Sequence, residues 1–243
     1  MNTESLVLTR YLYNKSKVLD KLEECILNGR EDEAYFWAYE IYFSFLETEL
    51  FERFFAILKV NYSGFPRLYK YLFERYSEWK IEWDKSVQSG ITTLTIDNVP
   101  NNNLHMIIPV FIKNIIIRNR EKKEPKVQFY IKIPMDIEFL IIYKTKFITP
   151  ARKTLQINCK YSLFDTTNSN NKELLKEFTD HWLYYASRSP IWRERIYNYS
   201  GEIDHEEKMI IFENDDLLED FYENFGFELD EQTIEIQRGC IGI

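Results

Sequence analysis

The chain has 243 residues, of which 45% are hydrophobic and 29% are charged. This length and composition are typical of a globular protein with one large or two small domains, and they exclude an intrinsically disordered chain. The sequence has seven glycines, and no two of them form a Gly-x-Gly pair. Nucleotide sites built on glycine-rich loops are therefore excluded.

Charge is distributed in blocks along the chain. The net charge of −8 is the balance of −4 in residues 1–84, +8 in residues 85–160 and −12 in residues 161–243. Such blocks indicate either a basic surface for an acidic partner or neutralisation of one segment by another.

Cysteine usage and hydropathy indicate the compartment. Cys25, Cys159 and Cys240 are odd in number and far apart, which is typical of a reducing compartment. The longest apolar stretch, residues 106–117, is too short to span a bilayer, and no signal peptide is evident at the start of the chain. We expect a soluble intracellular protein that does not enter a membrane and is not secreted.

Residues 1–88 are predicted to form an aromatic-rich helical domain. Apolar spacing favours a helix over residues 5–27, which Asn28-Gly29 would end, and the acids that follow favour a new helix start. Residues 35–58 are apolar nearly all round, which predicts one central buried helix, and residues 67–83 predict another. We expect an antiparallel bundle or stacked helical hairpins.

Residues 89–243 are predicted to be a mixed α+β region, basic over 89–160 and acidic and helical over 161–243. Strands are predicted at 91–97 and 127–133, a helix start at Thr149-Pro150, and either a Pro-kinked helix or a buried strand at 104–117. Further on, we predict helices at 171–187, 190–197 and 214–224, a hairpin at 201–212 and an extended tail. The predicted fold class is mainly α with a minor β part, and the two regions could also form one continuous domain.

The aromatic segment has 18 Phe, Tyr and Trp residues between positions 35 and 83. It could supply a binding surface, but a large aromatic core is the favoured interpretation because these residues fall on several helix faces. The acidic run 213–235 lacks the spacing of a calcium loop and is best interpreted as a solvated helix face.

Basic side chains in two places are candidates for contact with nucleic acid or an acidic partner. Clustered Lys and Arg supply contacts to phosphate backbones, although solvated loops and pairing with neighbouring acids are the favoured interpretations. The candidates are Lys113, Arg118, Arg120, Lys122, Lys123, Lys126, Arg193 and Arg195.

Catalytic chemistry has little support in the sequence. His105, His181 and His205 are the only histidines, no two have metal-ligand spacing, and the chain has no Gly-x-Ser-x-Gly motif. We therefore predict no catalytic, metal or cofactor site and expect a protein that is not an enzyme.

Three stretches together resemble an uncharacterised family of the nucleocytoplasmic large DNA viruses, mimivirus-like members especially. They are residues 33–44 (EAYFWAYEIYFS), 181–196 (HWLYYASRSPIWRERI) and 219–232 (EDFYENFGFELDEQ). The high content of Ile, Lys, Asn, Phe and Tyr, which AT-rich codons encode, agrees with this resemblance. It implies a viral protein of the host cytoplasm, in the viral factory or the virion, and it implies no activity or site residues.

The expected function is that of a non-enzymatic interaction or scaffold protein in a viral multiprotein assembly, an adaptor for other viral or host proteins. Two alternatives stay open. One is an accessory factor of viral transcription or translation that binds RNA or DNA through the basic segment. The other is a minor capsid or core protein.

Overall fold

A computed structural model describes residues 6–88, 103–119, 124, 130, 131, 161, 163, 172–225 and 232–242. Within these residues the protein is mainly helical with one two-stranded antiparallel sheet, which confirms the predicted fold class. Elements are numbered here among the described residues only.

Residue contacts divide the chain into two compact units. The first unit contains Met1–Lys21, Phe43–Glu47 and Pro150–Ile243, and the second contains Leu22–Tyr42 and Thr48–Thr149. The domain boundary predicted at residue 88 does not coincide with this division, because segments on both sides of it belong to the second unit.

The helices of the second unit come from the first half of the chain. α1 (Lys15–Leu27) and α3 (Glu47–Asn61) each cross a unit boundary. The others are α2 (Glu31–Tyr42), α4 (Pro66–Gln88), a 3₁₀ turn (Asn103–Met106) and α5 (Ile107–Ile116).

The start of α1 differs from the prediction of a helix over residues 5–27. Leu12 has a left-handed backbone (φ 68°), and Leu8 forms an isolated antiparallel bridge with Asn14. The Asn14 side-chain oxygen accepts a hydrogen bond from the Lys17 backbone N–H at 3.1 Å, so Asn14 caps a helix that begins at Lys15. Leu8 and Leu12 are therefore buried in a turn before the helix, although their spacing is helical. The predicted end of α1 is confirmed, because Gly29 has a φ of 69°.

The prediction of one continuous helix over residues 35–58 is wrong. α2 ends at Tyr42 and α3 begins at Glu47, and Phe45 between them has a φ of 61°. In the first unit the Ser44 hydroxyl accepts a hydrogen bond from the Arg10 backbone N–H at 2.8 Å. This contact helps to fix the break, which an evenly apolar sequence cannot indicate. The central burial was predicted correctly, since every residue from Ala34 to Tyr42 is buried.

α4 and α5 complete the aromatic core of the second unit. α4 is longer at both ends than the predicted span 67–83, and the backbone N–H groups of Arg67 and Leu68 donate to the Glu124 carboxylate at 2.9 and 3.2 Å. Residues 107–116 form a helix, which settles the ambiguity over 104–117. The Phe111 ring lies 5.1 Å from that of Phe54, between centroids, so the aromatic segment is largely core.

The described elements of the first unit come mostly from the last third of the chain. They are α6 (Lys172–Ala186), α7 (Pro190–Asn198), β1 (Gly201–Asp204), β2 (Met209–Phe212), α8 (Asp215–Phe225) and α9 (Ile234–Ile241). Their buried residues pack with Leu8 and Leu12 in one core that includes Phe178, Trp192 and Phe221. The predicted helices 171–187, 190–197 and 214–224 and the hairpin are confirmed.

The predicted extended tail is wrong, because residues 234–241 form α9. The Thr233 hydroxyl accepts a hydrogen bond from the Ile236 backbone N–H, and Gly242 ends the helix in a left-handed conformation (φ 75°). The strands predicted at 91–97 and the helix start at Thr149-Pro150 lie outside the described residues, as does most of the strand predicted at 127–133.

Candidate interaction surface

The basic residues predicted in the middle of the chain occupy different environments. The Lys113 ammonium on α5 lies 3.4 Å from the Glu31 carboxylate of α2, in an ion pair. Arg118 is 1% exposed, and its guanidinium lies 5.9 Å from the centroid of the Tyr130 ring. The structure therefore places Lys113 in a pair and Arg118 inside the second unit. The other four, Arg120, Lys122, Lys123 and Lys126, lie outside the described residues.

The two arginines predicted near Trp192 are also not equivalent. Arg193 is exposed, and its Nε donates to the Ser187 carbonyl oxygen at 3.3 Å. Arg195 is 8% exposed, with its guanidinium 4.4 Å from the Trp192 ring and 5.2 Å from the Phe225 ring. Cation–π contacts of this kind hold an arginine against the core of the first unit. The charge of Arg195 also acts on the neighbouring Glu194 carboxylate.

A shallow groove of about 480 Å³ lies beside the Lys113–Glu31 pair. The Asn119 side chain lines it and donates to the Ile26 carbonyl oxygen at 2.6 Å. This bond joins the turn that follows α5 to the end of α1. Leu27, Ile116 and Ile131 provide most of its apolar wall. Three of its polar lining residues, Glu31, Lys113 and Asn119, are thus engaged in contacts between helices.

The β1–β2 hairpin of the first unit has two unlike faces. The register pairs Gly201 with Phe212 and Ile203 with Ile210 on the inner face. Ile210 and Phe212 pack against the hydrophobic core, and the Phe212 ring lies 5.0 Å from that of Phe221 on α8. This face positions the hairpin on the body of the unit.

The outer face of the hairpin carries two large apolar side chains. Met209, paired with Asp204, and Ile211, paired with Glu202, are each 49% exposed. β2 is therefore apolar at all four positions, although only its inner face is covered. Single exposed apolar residues are common, but adjacent ones on the solvent side of a strand break the usual alternation of a half-buried sheet.

Exposed acidic side chains are close in sequence to this outer face, and one of them, Glu202, lies opposite Ile211 in the register. Between residues 196 and 237 the sequence has only one Lys or Arg, Lys208. The exposed acids of the turn, of β1 and of the first turns of α8 are Glu202, Glu206, Glu207, Glu213, Asp215, Asp216 and Glu219. We call Met209, Ile211 and these acids the hairpin surface.

Lys208 fastens the hairpin turn to α6. Its backbone is left-handed (φ 54°), its carbonyl oxygen lies 3.0 Å from Nδ1 of His181, and its ammonium pairs with the Glu177 carboxylate. The Lys208 ammonium and the Tyr185 hydroxyl both donate to Glu177, and these bonds lower the pKa of Glu177. The same pairing raises the pKa of Lys208. The one basic group of the region is thus engaged with an acid.

The contact at His181 coincides with a kink in α6. His181 has non-helical angles (φ −130°, ψ 26°) inside the helix, at the residue whose ring meets the hairpin. One turn further along, the Tyr184 ring contacts His205 of the hairpin turn, with 5.9 Å between centroids. These contacts orient the hairpin rather than assemble a reactive group, and sequence spacing alone could not have indicated them.

The part of the chain that the structure describes has no cluster of metal-ligating side chains. No group of three or more His, Cys, Asp or Glu side chains there could hold a metal ion. His105 is buried beside Tyr39 in the second unit, and Cys25 and Cys240 are buried thiols. Among the same residues, no helix combines the length and apolarity needed to cross a bilayer.

Comparisons with known protein families, with curated proteins and with solved structures found no match for this chain. The resemblance to a family of large DNA viruses and the viral context that it implies therefore stay predictions. Interpretation of the hairpin surface depends on its geometry and charge alone.

Proposed function

We propose that this chain is a non-enzymatic interaction protein and that its hairpin surface binds a basic, partly apolar segment of a partner protein. One observation carries the proposal, namely the exposure of Met209 and Ile211 on the outer face of a hairpin whose inner face is already packed. A strand that is apolar on both faces is typical of a sheet covered on both sides. A partner would supply the second cover.

Charge favours a basic occupant of this surface. Glu202 lies opposite Ile211 in the hairpin register, and the hairpin turn and the start of α8 carry further exposed acids. The Lys208 ammonium pairs with Glu177. Complementary charge of this kind speeds association and selects against acidic partners, while buried apolar contact supplies most of the affinity. The expected ligand is therefore a segment with alternating basic and apolar residues.

The nucleic-acid alternative has less support among the described residues. Arg118 and Arg195 are buried and Lys113 is paired, which leaves Arg193 as the exposed candidate. Its other residues, Arg120, Lys122, Lys123 and Lys126, stay a prediction. A role in a viral assembly and a place in the capsid or core also stay predictions.

A peptide-binding measurement tests the proposal. Labelled peptides with equal apolar content, one bearing Lys and Arg and the other Asp and Glu, are titrated with the purified chain and followed by fluorescence anisotropy. We expect the basic peptide to bind, with affinity that falls as salt rises. The double substitution M209K/I211K should weaken binding at least about tenfold.

Val60→Lys is the matched control, because Val60 is an exposed apolar residue of the second unit. This control should bind the basic peptide as the unmodified chain does. Equal binding of both peptides would contradict the proposal, and so would full binding by M209K/I211K.

A further inference from the structure

α4 of the second unit has an exposed face that is self-complementary. The helix has 23 residues, Pro66–Gln88, and Ser77 lies at its midpoint. Its buried face contains Leu68, Leu72 and Trp79. The exposed face carries four of the chain's large exposed apolar side chains: Tyr69, Phe73, Ile81 and Val87.

Three residues define the centre of this exposed face. Phe73, Ser77 and Ile81 are spaced by four, so they lie one above the other on the helix surface. Phe73 and Ile81 are 50% and 57% exposed. Between them the small Ser77 lets another helix approach closely, and its hydroxyl donates to the Phe73 carbonyl oxygen at 2.9 Å. Because the Ser77 hydroxyl already has this acceptor, it can be buried at an interface without losing a hydrogen bond.

We propose that this face binds the same face of a second copy of the chain, as an antiparallel helix pair with a two-fold axis at Ser77. In that arrangement Phe73 of each copy meets Ile81 of the other, and the two helices overlap over their full length of about 34 Å. Since a two-fold interface is isologous, every contact occurs twice.

The charges of α4 match this register. Lys70 lies seven residues before Ser77 and Asp84 lies seven after it, so each faces the other across the axis. Glu74 and Lys80 are related in the same way, at three residues before and after. All four side chains are exposed, and Lys80 also pairs with Asp84 of its own helix at 2.8 Å, so the contacts across the axis would extend this ion pair. A parallel pair in register would instead place like charges together, so the sequence of the helix selects the antiparallel arrangement.

Sedimentation velocity of the full chain from about 1 to 100 µM tests the association. We expect a concentration-dependent dimer that Phe73→Glu converts to a monomer. Val60→Glu is the control, since it adds the same charge at an exposed apolar residue of α3 and not of α4. Circular dichroism should show that both variants keep their helix content, because both sites are exposed.

A charge reversal tests the register. Lys70→Asp places an acid opposite Asp84 and should weaken dimerisation, and the double substitution K70D/D84K should restore it. If Lys70 and Asp84 acted only in folding of the single chain, the second substitution would not restore dimerisation.

A disulfide tests the axis itself, in a background in which Cys159 is replaced by Ser. Ser77→Cys should form an intermolecular disulfide under mild oxidation, because a residue on the two-fold axis meets its own copy. Glu82→Cys, exposed on another side of α4, should not.

A monomer at every concentration would overturn the inference, and would leave the face to a different partner. A dimer that Phe73→Glu does not weaken would also overturn it. These outcomes are separate from those of the peptide experiment, which concerns the first unit.

Discussion

The indole Nε1 of Trp192 donates a hydrogen bond to the carbonyl oxygen of Thr9 at 3.0 Å, across 183 positions of the chain. Trp192 is 2% exposed and its ring also carries the Arg195 guanidinium. A single side chain on α7 thus fastens the first described residues to the core of the first unit.

Trp192→Phe should lower the free energy of unfolding by about 1–3 kcal/mol, because it removes the indole hydrogen bond to the buried Thr9 carbonyl oxygen and makes the buried ring smaller. The Thr9 oxygen keeps its other hydrogen bond, from the Leu12 backbone N–H at 2.9 Å. Trp192→Ala should cost about 3–5 kcal/mol through the added cavity. Urea denaturation followed by circular dichroism measures both. Similar stability of the two variants would show that the hydrogen bond, and not the packing of the ring, dominates.

Asn114 makes three side-chain hydrogen bonds, and two of them join α5 to the chain at Ile131. Its amide donates to the carbonyl oxygens of Val110 and Ile131 at 2.8 and 3.0 Å, and its side-chain oxygen accepts from the Ile131 N–H at 2.9 Å. Asn114→Asp should destabilise the protein by about 2–3 kcal/mol at neutral pH, since a buried carboxylate would face two carbonyl oxygens.

Chemical denaturation at neutral and acidic pH measures the effect of Asn114→Asp. The loss should shrink at acidic pH, where the protonated carboxyl can donate again. An equal loss at both pH values would contradict this account of the site.

Gly201 and Gly64 differ in the room that the structure leaves for a Cβ atom, so alanine substitutions at the two positions can be compared. A Cβ at Gly201 would lie 2.7 Å from Cγ2 of Ile196 and 3.2 Å from Cγ2 of Ile210, whereas a Cβ at Gly64 would have no heavy atom within 4 Å. Gly201→Ala should therefore cost about 1–3 kcal/mol, because the hairpin must shift from α7.

Gly64→Ala should be neutral or stabilising by up to about 1 kcal/mol, since it restricts the unfolded chain. Thermal unfolding of both variants makes the comparison. The packing argument fails if the two substitutions change the melting temperature equally.

The lowered pKa of Glu177 predicts a dependence of stability on acid pH. Because the pKa is lower in the folded chain than in the unfolded one, the stabilisation is complete above the ordinary value of 4.5. It is lost as the pH falls through the folded value. The Glu177 side chain is 34% exposed, so solvent screens the ion pair and the effect should be small.

The difference in stability between the unmodified chain and Glu177→Gln should therefore be constant at neutral pH and should shrink at pH below 4.5. Glu173→Gln, an exposed residue of the same helix, is the control and should show less change. Unfolding curves across the acid range measure both. A difference that stays constant into strong acid would refute the role of the Lys208 contact.

Local signals in the sequence predicted elements with distinctive ends. Gly29 ended α1, Ser189-Pro190 began α7 and Asn214 began α8, because these residues act on the backbone beside them. The hairpin was also predicted, since turn residues separate its two short strands.

Tertiary contacts decided the features that the sequence did not indicate. The break at Phe45 lies in an evenly apolar run, and the burial of Arg118 depends on Tyr130, which is distant in sequence. Arg195 likewise depends on Phe225. Net charge by segment therefore overstated the number of exposed basic groups, while the apolar outer face of β2 became visible only when its register was known.

The make-up of the first unit sets an order of events during synthesis. Its parts, Met1–Lys21, Phe43–Glu47 and Pro150–Ile243, are separated by all the residues of the second unit. The ribosome therefore completes residues 22–149 before α7 and Trp192 emerge, and the indole hydrogen bond to Thr9 can form only then. Most of the core around Leu8 and Leu12 comes from Phe178 onward, so these two leucines gain most of their cover late in translation.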